Sequence, residues 1–329
     1  MGNLKSSVFL TAIFLAIIIF SCNNTKQEYI YKPVVISDWW EVTGNPDLGE
    51  YTSDRQEPVD FGVWQAADGT WQLWSCIRKT NCGGHTRLFY GWEAENLTDA
   101  NWKPLGIAME ADTTVGEEKG GLQAPHVIKK DGIYYMLYGG WAQICLAKSK
   151  DGKNFERIIN DEGITEIFSG PFINSRDAMT IKVGDTYYCY YTGHLMDFEP
   201  GQTRAAIFCR TSKDLFEWSE PTMVSGGGRY AEMDSWGGGD AECPHVVQLE
   251  DKFVLFRNIE YGKDNLNVQY CSEDPMSFGV DNDSLMVGEL AIAAPEIVEY
   301  NGEYYLFSLK ESLDGIKAAK IEFENELKE

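Results

Sequence analysis

The chain has 329 residues, 43% hydrophobic and 13% aromatic, enough for one or two large packed cores and too apolar for a disordered protein. Its 51 acids against 28 bases give a formal charge of -23, and no Lys/Arg-rich run interrupts it, so a phosphate backbone would be repelled and nucleic acid is excluded as a partner. Ten tryptophans, 17 tyrosines and 32 glycines belong with many short strands and tight turns, and the expected fold is all-β.

At the N-terminus Lys5 precedes a 13-residue apolar run, Val8 to Phe20, which is too short to span a bilayer comfortably. The run ends in Ile19-Phe20-Ser21-Cys22, which resembles a bacterial lipoprotein box. Residues 1–21 are therefore read as a lipoprotein signal peptide, Cys22 as the lipidated anchor, 22–28 as a polar tether and 29–329 as one folded domain. That would tie the protein to a membrane of a bacterial cell envelope, facing the periplasm or the cell surface. An ordinary secretory peptide with an incidental cysteine is the alternative. Export permits disulfides, and of the seven later cysteines only Cys76 and Cys82, flanking "IRKTN", look like a pair. Cys145, Cys189, Cys209, Cys243 and Cys271 lie in strand-like runs and read as small buried hydrophobes. No Cys/His spacing suggests zinc.

From residue 60 onward a pattern recurs: a small or acidic head, apolar residues, a turn, then an aromatic strand. It appears as "DFGVWQAADGTWQLW" from Asp60, "APHVIKKDGIYYMLYGG" from Ala124, "DAMTIKVGDTYYCYYTG" from Asp177, "ECPHVVQLEDKFVLF" from Glu242 and "APEIVEYNGEYYLFSL" from Ala294. The heads are 64, 53, 65 and 52 residues apart. Each turn carries Asp-Gly, Asn-Gly, Gly-Asp or Glu-Asp, the chemistry of a tight β-hairpin. A second element follows, as in "AKSKDGKNF" from Ala147, "RTSKDLFEW" from Arg210 and "YCSEDPMSF" from Tyr270. Four strands per unit, five times over, predict a five-bladed β-propeller with antiparallel blades. The last unit is short by a strand, and "YIYKPVVIS", Tyr29 to Ser37, is the segment expected to complete it and leave no long open edge.

Inner strands of a propeller begin near its axis, so the heads should meet in space. Two heads are Ala-Pro, whereas Asp60, Asp177 and Glu242 would bring three carboxylates to one pocket. Grouping carboxylates is costly, because like charges and desolvation raise their pKa values. Glycosidic cleavage uses that inventory, with one carboxyl protonated to serve the leaving oxygen and one ionised to activate water or attack the sugar.

On these residues the chain resembles the five-bladed furanosidase superfamily, glycoside hydrolase family 43 and its relative family 32. "SRDAM" at Ser175 to Met179 is similar to the family's Arg-Asp-Pro motif, and "AECPHV" at Ala241 to Val246 to the Glu-Cys motif of family 32. The sequence departs from the pattern in placing Phe61 after Asp60 and Ala178 after Asp177 instead of proline, and in lacking the Asn-Asp-Pro-Asn-Gly run of fructosidases. It ends with its fifth blade, without the β-sandwich common in family 32, which favours the family 43 side. The resemblance implies Glu242 as general acid, Asp60 as general base or nucleophile, and Asp177 as the residue that orients substrate and tunes Glu242. Asp38, Asp240 and Glu296 stand in reserve.

His126 and His245, in equivalent registers, are candidates for sugar hydroxyls or an axial ion, with packing as the alternative. His194 is a further substrate contact, and Arg176 a partner for a nearby carboxylate. Among Trp39, Trp40, Trp64, Trp141 and Trp236, the indoles of Trp141 and Trp236 are expected to stack on sugar rings. Some relatives hold calcium near the axis, but no segment here has calcium-loop spacing, and no metal or cofactor is assigned. The expected function is that of a monomeric, lipid-anchored glycosidase removing arabinofuranosyl, xylosyl or related residues from plant or algal carbohydrate. A fructan hydrolase of the family 32 type and a non-catalytic glycan-binding propeller are the alternatives.

Overall fold

The computed structural model describes residues 29–170, 174–194, 205–230 and 241–327. Local turn chemistry sets its hairpins: Asp131-Gly132 and Asn301-Gly302 both adopt positive φ at their two residues, the mirror-image turn whose twist matches that of paired strands. After β1 (Tyr29–Val35) and β2 (Trp40–Gly44), the chain builds five antiparallel sheets in sequence. Blade one is β3 (Glu57–Gln65), β4 (Trp71–Arg78), β5 (Leu88–Ala94) and β6 (Lys103–Met109). Blade two is β7 (Gln123–Lys130), β8 (Ile133–Gly139) and β9 (Gln143–Ser149), whose outer edge is shared by β10 (Glu156–Arg157) and β11 (Glu166–Ser169).

Blade three is β12 (Ser175–Val183), β13 (Thr186–His194), β14 (Ala205–Ser212) and β15 (Thr222–Ser225). Blade four is β16 (Glu242–Leu249), β17 (Lys252–Glu260), β18 (Leu266–Ser272) and β19 (Met286–Leu290). Blade five is β20 (Glu296–Tyr300), β21 (Glu303–Leu309) and β22 (Gly315–Leu327), and the expected five-bladed, four-stranded propeller is what the chain forms.

The ring closes through its N-terminus. β1 pairs with β22 from Tyr29 opposite Leu327 to Val35 opposite Ile321, and β2 takes over along the same strand from Trp40 opposite Ala318. Between them Ile36 N donates to Lys320 O and Ser37 Oγ accepts from Lys320 N, so the strand from Tyr29 to Ser37 closes the last blade as its sequence implied. The apolar clusters fill the seams between blades. One groups Leu137, Ile144, Ala178 and Tyr191 of blades two and three, another Val254, Phe256, Leu306 and Ile321 of blades four and five. Trp64 is spent on such a seam: it is buried edge-on to Trp74 and Phe155 and donates its Nε1–H to Gly152 O at 2.7 Å. It is core, not a sugar platform.

The expected Cys76–Cys82 disulfide does not form. Cys76 lies within β4 with its sulfur turned into the seam between blades one and two, 3.3 Å from Leu122 O, whereas Cys82 sits in the following loop beside Arg87 O. That loop is closed instead by Thr80, whose N–H and hydroxyl both donate to Thr86 O. Because β1 covers the open edge of β22, a chain lacking residues 29–35 should lose more than about 5 °C in Tm and associate through the exposed edge, measured by calorimetry and light scattering. An unchanged Tm would show that the pairing is dispensable.

Candidate active site

Four inner strands are interrupted near their starts by one residue in the left-handed region, Asp60, Ala124, Asp177 and Cys243, and Ala294 takes the same conformation two residues before the fifth, with φ of 32°, 42°, 58°, 43° and 46°. In β3, β7, β12 and β16 the ladder to the neighbouring strand shifts register there, as a β-bulge requires. Such a backbone costs of order 1–3 kcal/mol at a non-glycine residue. Proline follows at 125, 244 and 295, removing an N–H that the broken ladder would leave unpaired. The same bulge forms before Phe61 and Ala178, so the missing prolines do not displace Asp60 or Asp177. All five bulge residues line one axial cavity of about 20 Å³, room for a single water.

Asp60, Asp177 and Cys243 meet there, with ligand atoms all within 4.8 Å of one another. Cys243 N donates to Asp177 Oδ2 at 3.4 Å, and Cys243 Sγ lies 3.1 Å from Asp60 Oδ1 and 2.9 Å from the Tyr261 hydroxyl. Glu242 stands one residue before the bulge, in the position that Arg176 holds on β12 and Gln123 on β7. Arg176 Nη2 donates directly to Glu242 Oε1, and its Nε lies 3.5 Å from Asp177 Oδ2. His194 Nε2 is 3.7 Å from the same Glu242 oxygen, and Tyr261 also hydrogen-bonds the Glu242 carboxylate. The three acids foreseen from three blades thus lie near one another at one end of the axis: Asp60 and Asp177 line the cavity, and Arg176 joins Asp177 to Glu242, with His194 against the Glu242 carboxylate.

Their protonation is the reverse of the expectation. Burial, then the Asp60 charge, pushes the Asp177 carboxyl up to about 7 despite Arg176. Burial pushes Glu242 up as well, but Arg176 and then His194 outweigh it and hold Glu242 below the usual carboxylate range. Of the two, Asp177 is the carboxyl pushed toward its protonated form and Glu242 the one pushed toward its ionised form. The spacing of motifs could not show this, because it depends on Arg176 and Glu242 occupying equivalent places on adjacent blades.

Cys243 and Tyr261 were missed as site residues. A signal for Cys243 was present: matching the blades on proline aligns "ECP" with "QAP" and "AAP" and puts Cys243, not Glu242, in register with Asp60 and Asp177. Tyr261 comes from the β17–β18 turn and carried no such signal.

The histidines divide. His126 lines the cavity, is held neutral by burial, and donates from Nε2 to Thr180 O at 3.2 Å. His245 is buried outside the lining, where Nε2 accepts from Ile297 N at 3.3 Å and Nδ1 is 3.6 Å from Glu296. Both tie an inner strand to the third residue past the next blade's bulge, so the expectation that His245 binds sugar gives way to packing. Trp141, on the β8–β9 turn at the same end of the propeller, has one indole face covered by His85, with ring centres 3.7 Å apart and planes within 10°. Trp39 lies under Lys317 and Trp40 against Tyr305. Trp236, Asp240 and Cys22 lie outside the described residues. Calcium takes about six to eight oxygen ligands. Among the described residues the lining offers the carboxylates of Asp60, Asp177 and Glu296, a Cys243 thiol that burial keeps protonated, and the His126 imidazole, whose Nε2 has a backbone partner, a mixed set and not the all-oxygen shell of calcium.

No protein-family model matches the sequence, and no curated protein matches it significantly. Solved structures do resemble the fold. A thermostable family-43 glycoside hydrolase superposes with a TM-score of 0.62 at 18% identity, covering 88% of this chain and 94% of its own. A family 43 β-xylosidase/α-arabinofuranosidase from a compost microbial metagenome, solved with xylotriose in a calcium-free form, gives 0.57 at 18% over 84% and 94%. A family 32 β-fructofuranosidase from Bombyx mori gives 0.56 at 17%, over 91% of this chain and 62% of its own.

A carboxyl whose folded pKa is raised contributes stability that is complete below the unfolded value near 3.8 and lost as pH rises through about 7. Asp177→Asn should therefore match the wild type in Tm near pH 4 and exceed it above pH 7. Parallel Tm curves from pH 4 to 8 would mean that Asp177 is not the raised group.

Proposed function

We propose that the protein is a glycoside hydrolase acting on plant or algal carbohydrate. The observation that carries this reading is the approach of three carboxylates from three blades at one end of the axis: Asp60 and Asp177 line one cavity, and Arg176 joins Asp177 to Glu242. Neighbouring carboxyl groups are the equipment for protonating a leaving oxygen and activating a nucleophile. The likeness of fold to family 43 and family 32 enzymes supports the same chemistry.

In this reading Asp60 is the base or nucleophile, Glu242 the acid, and Asp177 the residue that governs where the shared proton sits. Glu242 is ionised while Arg176 holds it. Donation to a glycosidic oxygen therefore requires substrate to loosen that ion pair and the proton to pass within the Asp177/Glu242 pair, which titrates as a unit. An arabinofuranosyl or xylosyl substrate is favoured by the family 43 β-xylosidase/α-arabinofuranosidase among the neighbours, and a fructan by the family 32 β-fructofuranosidase. The apolar run ending at Cys22 supports a lipid anchor on a bacterial membrane.

Glu242→Gln should slow aryl glycosides with poor leaving groups by about 10²–10⁴-fold and activated ones far less, because the latter scarcely need an acid. Asp60→Asn should fail with both. If all variants keep wild-type rates on a substrate found by screening aryl-furanosides and aryl-xylosides, the assignment is wrong; a wild type that binds glycans without turnover would make the protein a glycan-binding propeller. Separately, Cys22→Ser should move the protein from the membrane to the soluble fraction, and a variant that stays membrane-bound would refute the anchor.

A further inference from the structure

Arg87 precedes β5 at the end of the propeller that carries the carboxylates. Its peptide N–H donates to Gly120 O, and its guanidinium carbon lies 5.2 Å from the centre of the Trp141 ring. With the Gln123 amide oriented to satisfy both ends, Gln123 donates to Trp141 O at 3.1 Å and accepts from Arg87 Nη1 at 2.9 Å. Gln123 occupies on β7 the place that Arg176 and Glu242 occupy on their own inner strands, so the guanidinium lies at the same end of the propeller as that ion pair. The buried Cys76 thiol between these groups feels Arg87, Asp60 and Asp177 together.

Two other arginines at this end are paired with carboxylates, Arg78 with Glu57 and Arg176 with Glu242. Among the described residues Arg87 has no carboxylate within ion-pair distance, and its Nε–Nη2 edge, the edge that grips a carboxylate with two parallel hydrogen bonds, has no partner. The side chain is nevertheless held in place. Trp141 is fixed by His85 stacked on it, by Gln123, and by a backbone at φ 98°, a conformation that a bulky residue adopts only when its surroundings compel it. His85 is anchored in turn by Glu118 at 2.7 Å.

Resting on the glycosidase reading, we propose that Arg87, braced on Trp141, receives the carboxylate of a uronic acid unit in the glycan substrate. The charge of -23 repels anions at long range, but that repulsion is screened beyond about 8 Å at physiological salt, whereas a stacked guanidinium loses little freedom on binding and acts at contact distance. A neutral sugar would leave the fork without a matching acceptor.

The test is calorimetric titration of the full chain with a galacturonate trimer and a glucuronate-branched xylotetraose, each beside its methyl ester, which keeps the shape and removes the charge. Wild type should prefer one of the acids to its ester. Arg87→Ala should weaken that acid by about 10- to 100-fold and leave the ester unchanged, with Arg87→Lys in between because the charge remains and the fork is lost. Unchanged Tm in Arg87→Lys keeps the comparison free of misfolding. Equal affinity for both acids and their esters, or equal losses for acid and ester, would overturn the proposal, as would an Arg87-dependent preference for a sulfated trimer over the uronates. Asp60→Asn should lose hydrolysis and retain the acid preference; a wild type that shows the preference yet hydrolyses none of the glycans tested would count against the glycosidase reading and not against this one.

Discussion

The site depends on one backbone constraint, imposed five times: a non-glycine residue in left-handed conformation near the start of every inner strand. An unbroken ladder would send alternate side chains into the two seams beside each blade, where the apolar clusters lie. The bulge takes one residue out of that alternation and turns it to the axis. Two of the five residues are alanines, which leave space, and three are Asp60, Asp177 and Cys243, which fill it with polar groups. The strain is repeated at each blade and is sustained by packing on both flanks of every inner strand.

Electrostatics then distinguish groups that the repeat makes equivalent. Arg176 and Glu242 hold the same place on adjacent blades and meet across the seam, while the bulge residues behind them, Asp177 and Cys243, are joined by a peptide N–H. One guanidinium thus serves two carboxylates unequally: it holds Glu242 ionised through a direct hydrogen bond and leaves Asp177, deeper and beside Asp60, on the protonated side. Tyr261 links Glu242 to Cys243, and Cys243 touches Asp60, so a continuous set of contacts runs between the two groups assigned as acid and base. Blade two offers the same position to Gln123, whose neutral amide orients Arg87 and Trp141 instead. Variation at one repeated position therefore produces an ion pair between blades three and four and, between blades one and two, a guanidinium with no carboxylate partner among the described residues.

The number of blades, the hairpin turns, closure by Tyr29 to Ser37 and the meeting of Asp60, Asp177 and Glu242 were all legible in the sequence, because each follows from a local pattern: paired turn residues, a period of 52 to 65 residues, or a shared place in a repeat. What depends on the direction of one side chain was not. Cys76 and Cys82 are close in sequence but point apart, Trp64 follows Asp60 closely yet faces a seam, and His245 shares the register of His126 but lies outside the cavity. Which acid is pushed toward its protonated form, and what Arg87 rests against, was decided by contacts between blades, between residues dozens of positions apart that only ring closure brings together. A repeat determines which residues arrive at the axis; the distances and burial that set their charge exist only once the blades have packed.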